Sequence, residues 1–279
     1  MLYTTSEVIL LELLHSAENV LNVLFVWIDT QRTELGLTEI SRATGINKST
    51  VYKILLSLRE RHLVAFNNET KKYSLDSRVL ELGAFFLKNL NVKDAAHPFL
   101  QNLALESGKT VTFALRKETH LVFIDRVDGS ENVRFYCDIG KVIPYNSGAA
   151  AKAVFAYLPE QQVKTITAGT EERFTAKTKT WKQMLREAHT IRERGYSLSD
   201  EEVDNGVLAI GAPVFDSTGQ VVAGLALAGL KFTINEKQLS RMISLSVECA
   251  RSISLKLGAP LNDSLFSEWK SAAFSPSSE

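Results

Sequence analysis

The chain has few cysteines, no long apolar run and no excess of charge of either sign. Cys137 and Cys249 are the two cysteines in 279 residues, which indicates reduced thiols in the cytoplasm and not a disulfide framework. The longest apolar runs, VLFVWI and VVAGLALAGL, are too short to span a bilayer, and no signal-peptide pattern is present. Basic and acidic side chains number 32 each, which confines any contact with nucleic acid to a local patch.

Motifs for catalysis and metal binding are also missing. The sequence has no nucleophile elbow, phosphate loop or triad spacing, so we expect neither an enzyme nor a bound cofactor. The five histidines are scattered, with no i, i+4 pair and no cysteine partner, so we expect no metal site. The acidic run Asp200, Glu201 and Glu202 is interpreted as a solvated turn after a strand, and not as a general acid and base.

The most informative stretch is a helix-turn-helix pattern between residues 37 and 63. Thr38 is predicted to cap the first helix, Gly45 to turn with positive φ, and Asn47 to cap a second helix that ends near Arg61. The polar face of the second helix is expected to enter the major groove of DNA. The apolar residues expected to face inward recur at helical spacing: Ile40, Val51, Ile54, Leu55 and Leu58.

Charge and a following hairpin support the same interpretation. The segment from Arg42 to Lys72 has seven basic and two acidic side chains, a local charge of +5 that suits phosphate contacts. Two short alternating apolar runs follow between residues 63 and 75, around a turn-forming loop, and predict a wing. The alternatives are an ordinary solvated helix pair and, for Lys71 and Lys72, simple solvation. The residues predicted to contact double-stranded DNA are Thr38, Lys48, Ser49, Thr50, Tyr52, Lys53, Arg59, Lys71 and Lys72.

The rest of the chain predicts a second domain of mixed secondary structure. Helices are predicted over 4–15 and 17–29, the latter with Val20 facing inward, and a very apolar linker helix is predicted over 77–91. A second copy of the chain is expected to cover that linker helix. Strands over 110–116, 120–127, 133–136, 196–198, 206–214 and 221–228 predict an α+β domain. The expected organisation is a DNA-binding domain at 1–76, a linker helix at 77–91, a second domain at 92–258 and a disordered tail at 259–279.

Three stretches together resemble the IclR family of bacterial transcriptional regulators. They are NKSTVYKILLSL in the second helix, PYNSGAAAKAVFAYLPE at 144–160, and RERGYSLSDEEVDNGVLAIGAPVFDSTGQVVAGLALAG at 192–229. The likeness covers about residues 17 to 258. It implies a winged helix-turn-helix, a linker helix and a GAF-like effector-binding domain, assembled as homodimers or homotetramers on pseudo-palindromic operators. It also implies regulation of transcription, usually repression, in response to a small metabolite.

The resemblance further implies an effector pocket at a helix entry. Small residues there would let an acid approach backbone N–H groups, although a close helix crossing needs small residues as well. Asp204 keeps an acidic residue that is usual in the family. At other positions, Ala209 stands in place of a frequent cysteine, Ala226 and Ala228 replace small hydroxyl residues, and Ser199 replaces a frequent aspartate. The implied effector-binding residues are Ser147, Gly148, Ala149, Ala150, Ser199, Asp204, Ala209, Ala226 and Ala228.

The methyl groups of Ala209, Ala226 and Ala228 affect which ligand is expected. An apolar wall with few polar anchors suits an aromatic or apolar carboxylate better than a very small acid. A pocket that is filled by its own side chains would look the same in the sequence. The alternative to a metabolite-controlled regulator is therefore a DNA-binding regulator that acts without a ligand.

Overall fold

The computed structural model describes residues 15–89, 91–130 and 138–260. The chain divides into two compact units, Met1–Leu90 and Asn91–Glu279. The predictions of a helix over residues 4–14, a strand over 133–136 and a disordered tail beyond residue 260 lie outside the described residues. Among the residues that are described, no helix is long and apolar enough to cross a membrane.

The first unit has the order of elements of a winged helix-turn-helix. Its three short strands form one antiparallel sheet in the order β1-β3-β2, in which β2 and β3 are the predicted hairpin. Strand β1 was not predicted, because two residues carry no readable alternation. The elements are α1 (His15–Thr30), β1 (Leu35–Gly36), α2 (Leu37–Thr44), α3 (Lys48–Glu60), β2 (Val64–Asn67), β3 (Lys72–Leu75) and α4 (Ser77–Asn89).

The core of this unit contains the five apolar residues that were predicted to face inward, all of them buried together with Trp27. The indole of Trp27 donates a hydrogen bond to the carbonyl of Tyr73 at 3.2 Å and so joins α1 to the hairpin. The prediction for Val20 was wrong, because α1 buries the face that carries Val23 and Val26 and leaves Val20 37% exposed.

The turn of the helix-turn-helix follows the predicted chemistry at two of three positions. Gly45 has φ = 71° after α2, and the side chain of Asn47 accepts a hydrogen bond from the N–H of Thr50 at 2.9 Å. Thr38 is not the cap of α2. Gly36 precedes that helix, and the carboxylate of Glu39 accepts the N–H of Gly36 at 2.7 Å.

The second unit has an antiparallel six-stranded sheet in the order β6-β5-β4-β9-β8-β7, a GAF-like α+β arrangement. Helices α5 and α9 contact each other and strands of the sheet, and α6 lies against β8 and β9. Strand β6 and helix α7 were not predicted. The elements are α5 (Val92–Ser107), β4 (Thr110–Arg116), β5 (Leu121–Val127), β6 (Val142–Ile143), α6 (Gly148–Phe155), α7 (Glu160–Thr167), α8 (Trp181–Arg194), β7 (Ser197–Asp200), β8 (Val207–Phe215), β9 (Val221–Leu230) and α9 (Glu236–Lys256).

Two glycines determine how closely α6 approaches the sheet. A Cβ atom on Gly211 would lie 2.3 Å from the backbone of Ala149, and one on Gly224 would lie 2.6 Å from the carbonyl oxygen of Ala150. Neither distance is compatible with a side chain. The helix therefore rests directly on the backbone of β8 and β9.

The variant Gly211→Ala tests this contact. Its methyl group must push α6 away, so we expect a loss of about 1–3 kcal/mol in the free energy of unfolding, visible as a lower melting temperature by circular dichroism. Gly83→Ala is the control, because Gly83 lies in α4 with no atom near the added methyl group. It should keep or slightly raise the melting temperature. Equal melting temperatures for the two variants would contradict the close approach.

Candidate functional site

The outer face of α3 is polar and exposed. Lys48, Ser49, Tyr52, Lys53 and Arg59 are exposed on this helix, with the side chain of Thr50 half-buried. Thr38 is exposed on α2, Lys71 is exposed at the turn of the hairpin, and Lys72 is half-buried at the start of β3. Within the described residues, none of the basic side chains among these nine predicted contacts takes part in an ion pair. They remain available to an external polyanion.

The first turn of α3 is held by a local network of hydrogen bonds. The hydroxyl of Ser49 donates to the side-chain oxygen of Asn47 at 2.8 Å, and this oxygen also accepts the N–H of Thr50. The hairpin loop is ordered in the same way, since the side chain of Asn67 accepts the N–H groups of Glu69 and Thr70. Both surfaces are therefore fixed before any partner binds.

Helix α6 begins at a site where an anion can approach its backbone. All eight of its residues are buried, and Gly148 at its start has φ = 74°. The first N–H groups of a helix have no partner within the helix. The hydroxyl of Ser147 does not cap them. On the opposite side, the hydroxyl of Ser197 donates to the carbonyl of Ala149 at 2.6 Å and fixes the helix to β7.

A cavity of about 370 Å³ opens at this helix end. The sheet forms its floor, where Ala209 lies opposite Ala228 and Thr112 lies opposite Ala226 in neighbouring strands. All nine residues of the effector-binding prediction line this one cavity. The structure therefore brings together positions from α6, from β7 to β9 and from the loop that joins β7 to β8. The lining residues that were not predicted are Thr112, Phe123, Lys141, Val142, Ile143, Pro144, Glu172, Phe174, Val203 and Val207.

The character of the lining changes from the interior to the mouth. Charged side chains, those of Lys141, Glu172 and Asp204, are exposed and lie at the mouth. The interior has alanine methyl groups and three buried hydroxyl side chains, those of Thr112, Ser147 and Ser199. A ligand in this cavity would meet apolar surface and neutral hydrogen-bonding groups inside, with charge at the entrance.

A buried ion cluster lies behind the cavity. Lys152 of α6 is fully buried, and its ammonium group lies 3.0 Å from the carboxylate of Glu187 in α8 and 2.8 Å from that of Glu202. It also donates to the carbonyl of Leu198 in β7 at 2.6 Å. Burial raises the pKa of Glu202, while Lys152 acts in the opposite direction by favouring the carboxylate. Lys152 thus joins α6, α8 and β7 at one point.

The interpretation of the acidic run at 200–202 as a solvated turn was wrong. Glu202 is only 3% exposed, because the buried ammonium group of Lys152 draws its carboxylate inward. Hydrogen bonds from Lys177, from the N–H of Gly206 and from Lys231 lower the pKa of Glu201 to about 2. Lys231 also pairs with Asp200 at 2.7 Å. The run is anchored next to the cavity wall, since Val203 and Asp204, which line the cavity, directly follow it.

Comparison with known proteins adds to these geometric findings. Residues 84–255 match the family described as "Bacterial transcriptional regulator IclR C-terminal", and residues 16–67 match the IclR helix-turn-helix domain. The HTH-type transcriptional regulator KdgR of Escherichia coli is 33% identical over 82% of this chain and 88% of its own length. The transcriptional repressor IclR of the same organism is 28% identical over 84% of this chain and 87% of its own.

A solved structure shows the same fold. A chain from Silicibacter sp. TM1040, assigned to the IclR transcriptional regulators, has a TM-score of 0.81 against this protein at 22% identity. The match covers 88% of this chain and 96% of the other.

Replacing Lys152 should destabilise the second unit strongly. Lys152→Met removes the nearest counter-charge of the buried Glu202 and leaves only the more distant Lys179 at 3.7 Å, so the free energy of unfolding should fall by up to about 3–5 kcal/mol. Protonation of Glu202 relieves this penalty, so the loss in melting temperature should be smaller at pH 5 than at pH 8. Lys182→Met, at an exposed position of α8, is the matched control and should melt like the parent protein at both pH values. A loss that is independent of pH would contradict the assigned role of Glu202.

Proposed function

We propose, since this chain belongs to the IclR family of bacterial transcriptional regulators, that it binds operator DNA through α3 and the wing and that a small organic acid in the cavity at α6 controls this binding. The observation that carries the proposal is the convergence of nine predicted positions on one cavity of about 370 Å³. This volume lies within the usual range for pockets that hold small molecules. It also argues against a pocket closed by its own side chains.

The contacts proposed for DNA follow from position on the helix-turn-helix. Residues in the first turns of the second helix reach base edges in such modules, whereas flanking basic residues contact phosphates. Ser49, Thr50 and Tyr52 are accordingly proposed to read sequence. The proposed backbone contacts are Thr38, Lys48, Lys53, Arg59, Lys71 and Lys72.

The contacts proposed for the effector follow from charge and volume. The N-terminus of α6 and the residues from Ser147 to Ala150 would hold a carboxylate, because unpaired N–H groups and the helix dipole favour an anion there. Ala209, Ala226 and Ala228 would contact an aromatic or branched apolar body, and Ser199 and Asp204 would contact its polar edge. Control of transcription is then a shift between two populations of the protein that differ in operator affinity.

Association with a second copy completes the proposal. Leu80 and Leu82 on α4 are 75% and 62% exposed, and Phe25 and Ile28 on α1 are about half exposed. Large apolar side chains that are exposed on two helices favour burial against another protein surface. A symmetric dimer would use them and would present two recognition helices to two half-sites.

The DNA contacts can be tested on an operator selected from a random-sequence pool. Lys53→Ala should weaken binding to all sequences and reduce the salt dependence by about one phosphate contact, whereas Ser49→Ala or Tyr52→Phe should change which sequences are preferred. Lys237→Ala, exposed on α9, is the control and should bind like the parent protein. Equal losses on all sequences for every variant of α3 would refute the assignment of base-reading residues.

The effector site can be tested by thermal shift on the full-length protein, with a panel of aromatic and aliphatic acids. An acid at 100 times its dissociation constant should stabilise the protein by about 2.7 kcal/mol. Ala226→Leu should abolish the shift by filling the cavity floor, and Ala168→Leu, at an exposed position after α7, should retain it.

A flat response of the parent protein to the whole panel, with DNA binding intact, would instead indicate a regulator that works without an acid effector. A shift that survives Ala226→Leu would place the ligand elsewhere in the protein.

A further inference from the structure

Three hydroxyl side chains of largely buried residues border the open cavity and have no hydrogen-bond partner in the described part of the chain. Thr112, Ser147 and Ser199 are 8%, 8% and 5% exposed, all three line the cavity, and no hydrogen bond engages their side chains. Ligand pockets typically present a few such polar groups on an otherwise apolar lining. The pattern indicates that these groups are placed for a ligand.

Two of the three hydroxyls lie at the anion end of the cavity. Ser147 directly precedes α6. A Cβ atom added to Gly148 would come within 3.9 Å of the hydroxyl oxygen of Ser199, so Ser199 also lies beside the N-terminus of this helix. Both groups can donate to an acid that receives the backbone N–H groups of α6.

Thr112 lies across the alanine floor from Ser199. Strand β4, which carries Thr112, is separated from β7, which carries Ser199, by β9 and β8. Three interstrand steps correspond to about 14 Å, and the register offsets Thr112 by two residues, about 7 Å along the strand, from the row that contains Ser199. The residues between them on the cavity floor are Ala209, Ala226 and Ala228, which offer methyl groups and no hydrogen bond.

The described lining of the cavity also holds no buried cation near Thr112. Arg126 is the neighbour of Thr112 on β5, but it pairs with Asp128 at 2.6 Å and does not line the cavity. Among the described lining residues the cation is Lys141, which is exposed. A second carboxylate at Thr112 would therefore be buried without a counter-charge, which is unfavourable. A neutral oxygen, such as a hydroxyl, can be accommodated there.

We propose that Thr112 is a specificity-determining residue, which selects effectors that have a neutral oxygen function at the end opposite the acid. This inference rests on the proposed function, because it assumes that the acid lies at α6. The two polar ends of the ligand would be separated by about 10 Å, because the strand steps and the two-residue offset together span about 16 Å and about 3 Å is allowed for a hydrogen bond at each end. The effector class is thus an elongated monoacid with a flat apolar body and a distal hydroxyl or carbonyl group.

The test compares acids that differ by one distal hydroxyl. The probes are the pairs benzoate and 4-hydroxybenzoate, phenylacetate and 4-hydroxyphenylacetate, and hexanoate and 6-hydroxyhexanoate, titrated by calorimetry into the full-length protein. For at least one pair, the parent protein should bind the hydroxylated acid about five- to tenfold more tightly, the range expected for one hydrogen bond. Thr112→Val, which keeps the shape and removes the hydroxyl, should reduce this ratio to about one.

Two further variants separate recognition from folding. Thr110→Val alters a buried threonine on the same strand that does not line the cavity, and it should keep the ratio of the parent protein. Thr112→Ser retains a hydroxyl and should also keep the ratio.

The results distinguish the two proposals. Equal affinities within every pair for the parent protein, or a ratio that persists in Thr112→Val, would overturn the role of Thr112 while leaving an acid effector in place. Failure of all six acids to bind would overturn this inference, and a flat response to the wider acid panel as well would overturn the acid effector with it.

Discussion

The contact between α6 and the sheet is the constraint on which the second unit depends. Because Gly211 and Gly224 have no side chain, backbone meets backbone, and the start of the helix lies directly beside the cavity floor. If α6 rested on ordinary side chains, its N–H groups would be lifted away from the alanine floor. The close approach therefore positions the start of the helix at the cavity floor.

The ion cluster at Lys152 links the position of α6 to that of α8 and of the loop after β7. A fully buried ammonium group must remain near its carboxylates, so α6 cannot shift without moving Glu187 of α8 or Glu202 beside the cavity wall. A ligand that alters the start of α6 would consequently act on α8 and on the loop after β7. The same groups that stabilise the domain thus provide a physical route by which occupancy of the cavity can reach other surfaces.

The parts of the fold that depend on local chemistry could be predicted from the sequence. Gly45, Asn47 and the periodic apolar residues of α3 specify the helix-turn-helix because turns, caps and helical faces depend on neighbours in the chain. Two-residue strands such as β1 and β6 were missed, since they exist through pairing with distant strands. The burial of Glu202 was missed for a related reason, as its partner Lys152 lies 50 residues earlier in the sequence.

The residues that line the cavity were likewise only partly predictable from the sequence. Its small residues were found through resemblance to a family, whereas Thr112 was not, because its position on the floor depends on the register between β4 and β9. An alternating strand pattern indicates which residues share a face, but it does not indicate which strand lies beside it or what covers that face.

The alanine floor also has a consequence for how such a protein could change over evolutionary time. Ala226 and Ala228 line the cavity floor, and neither takes part in the ion cluster at Lys152. An alanine codon becomes a serine, threonine or valine codon by one base change, and each of these side chains would border the cavity. New hydrogen bonds or new shape could thus be introduced one at a time, with the scaffold intact. Retuning such a regulator to a different metabolite would then require few mutational steps, in nature or in the construction of a biosensor.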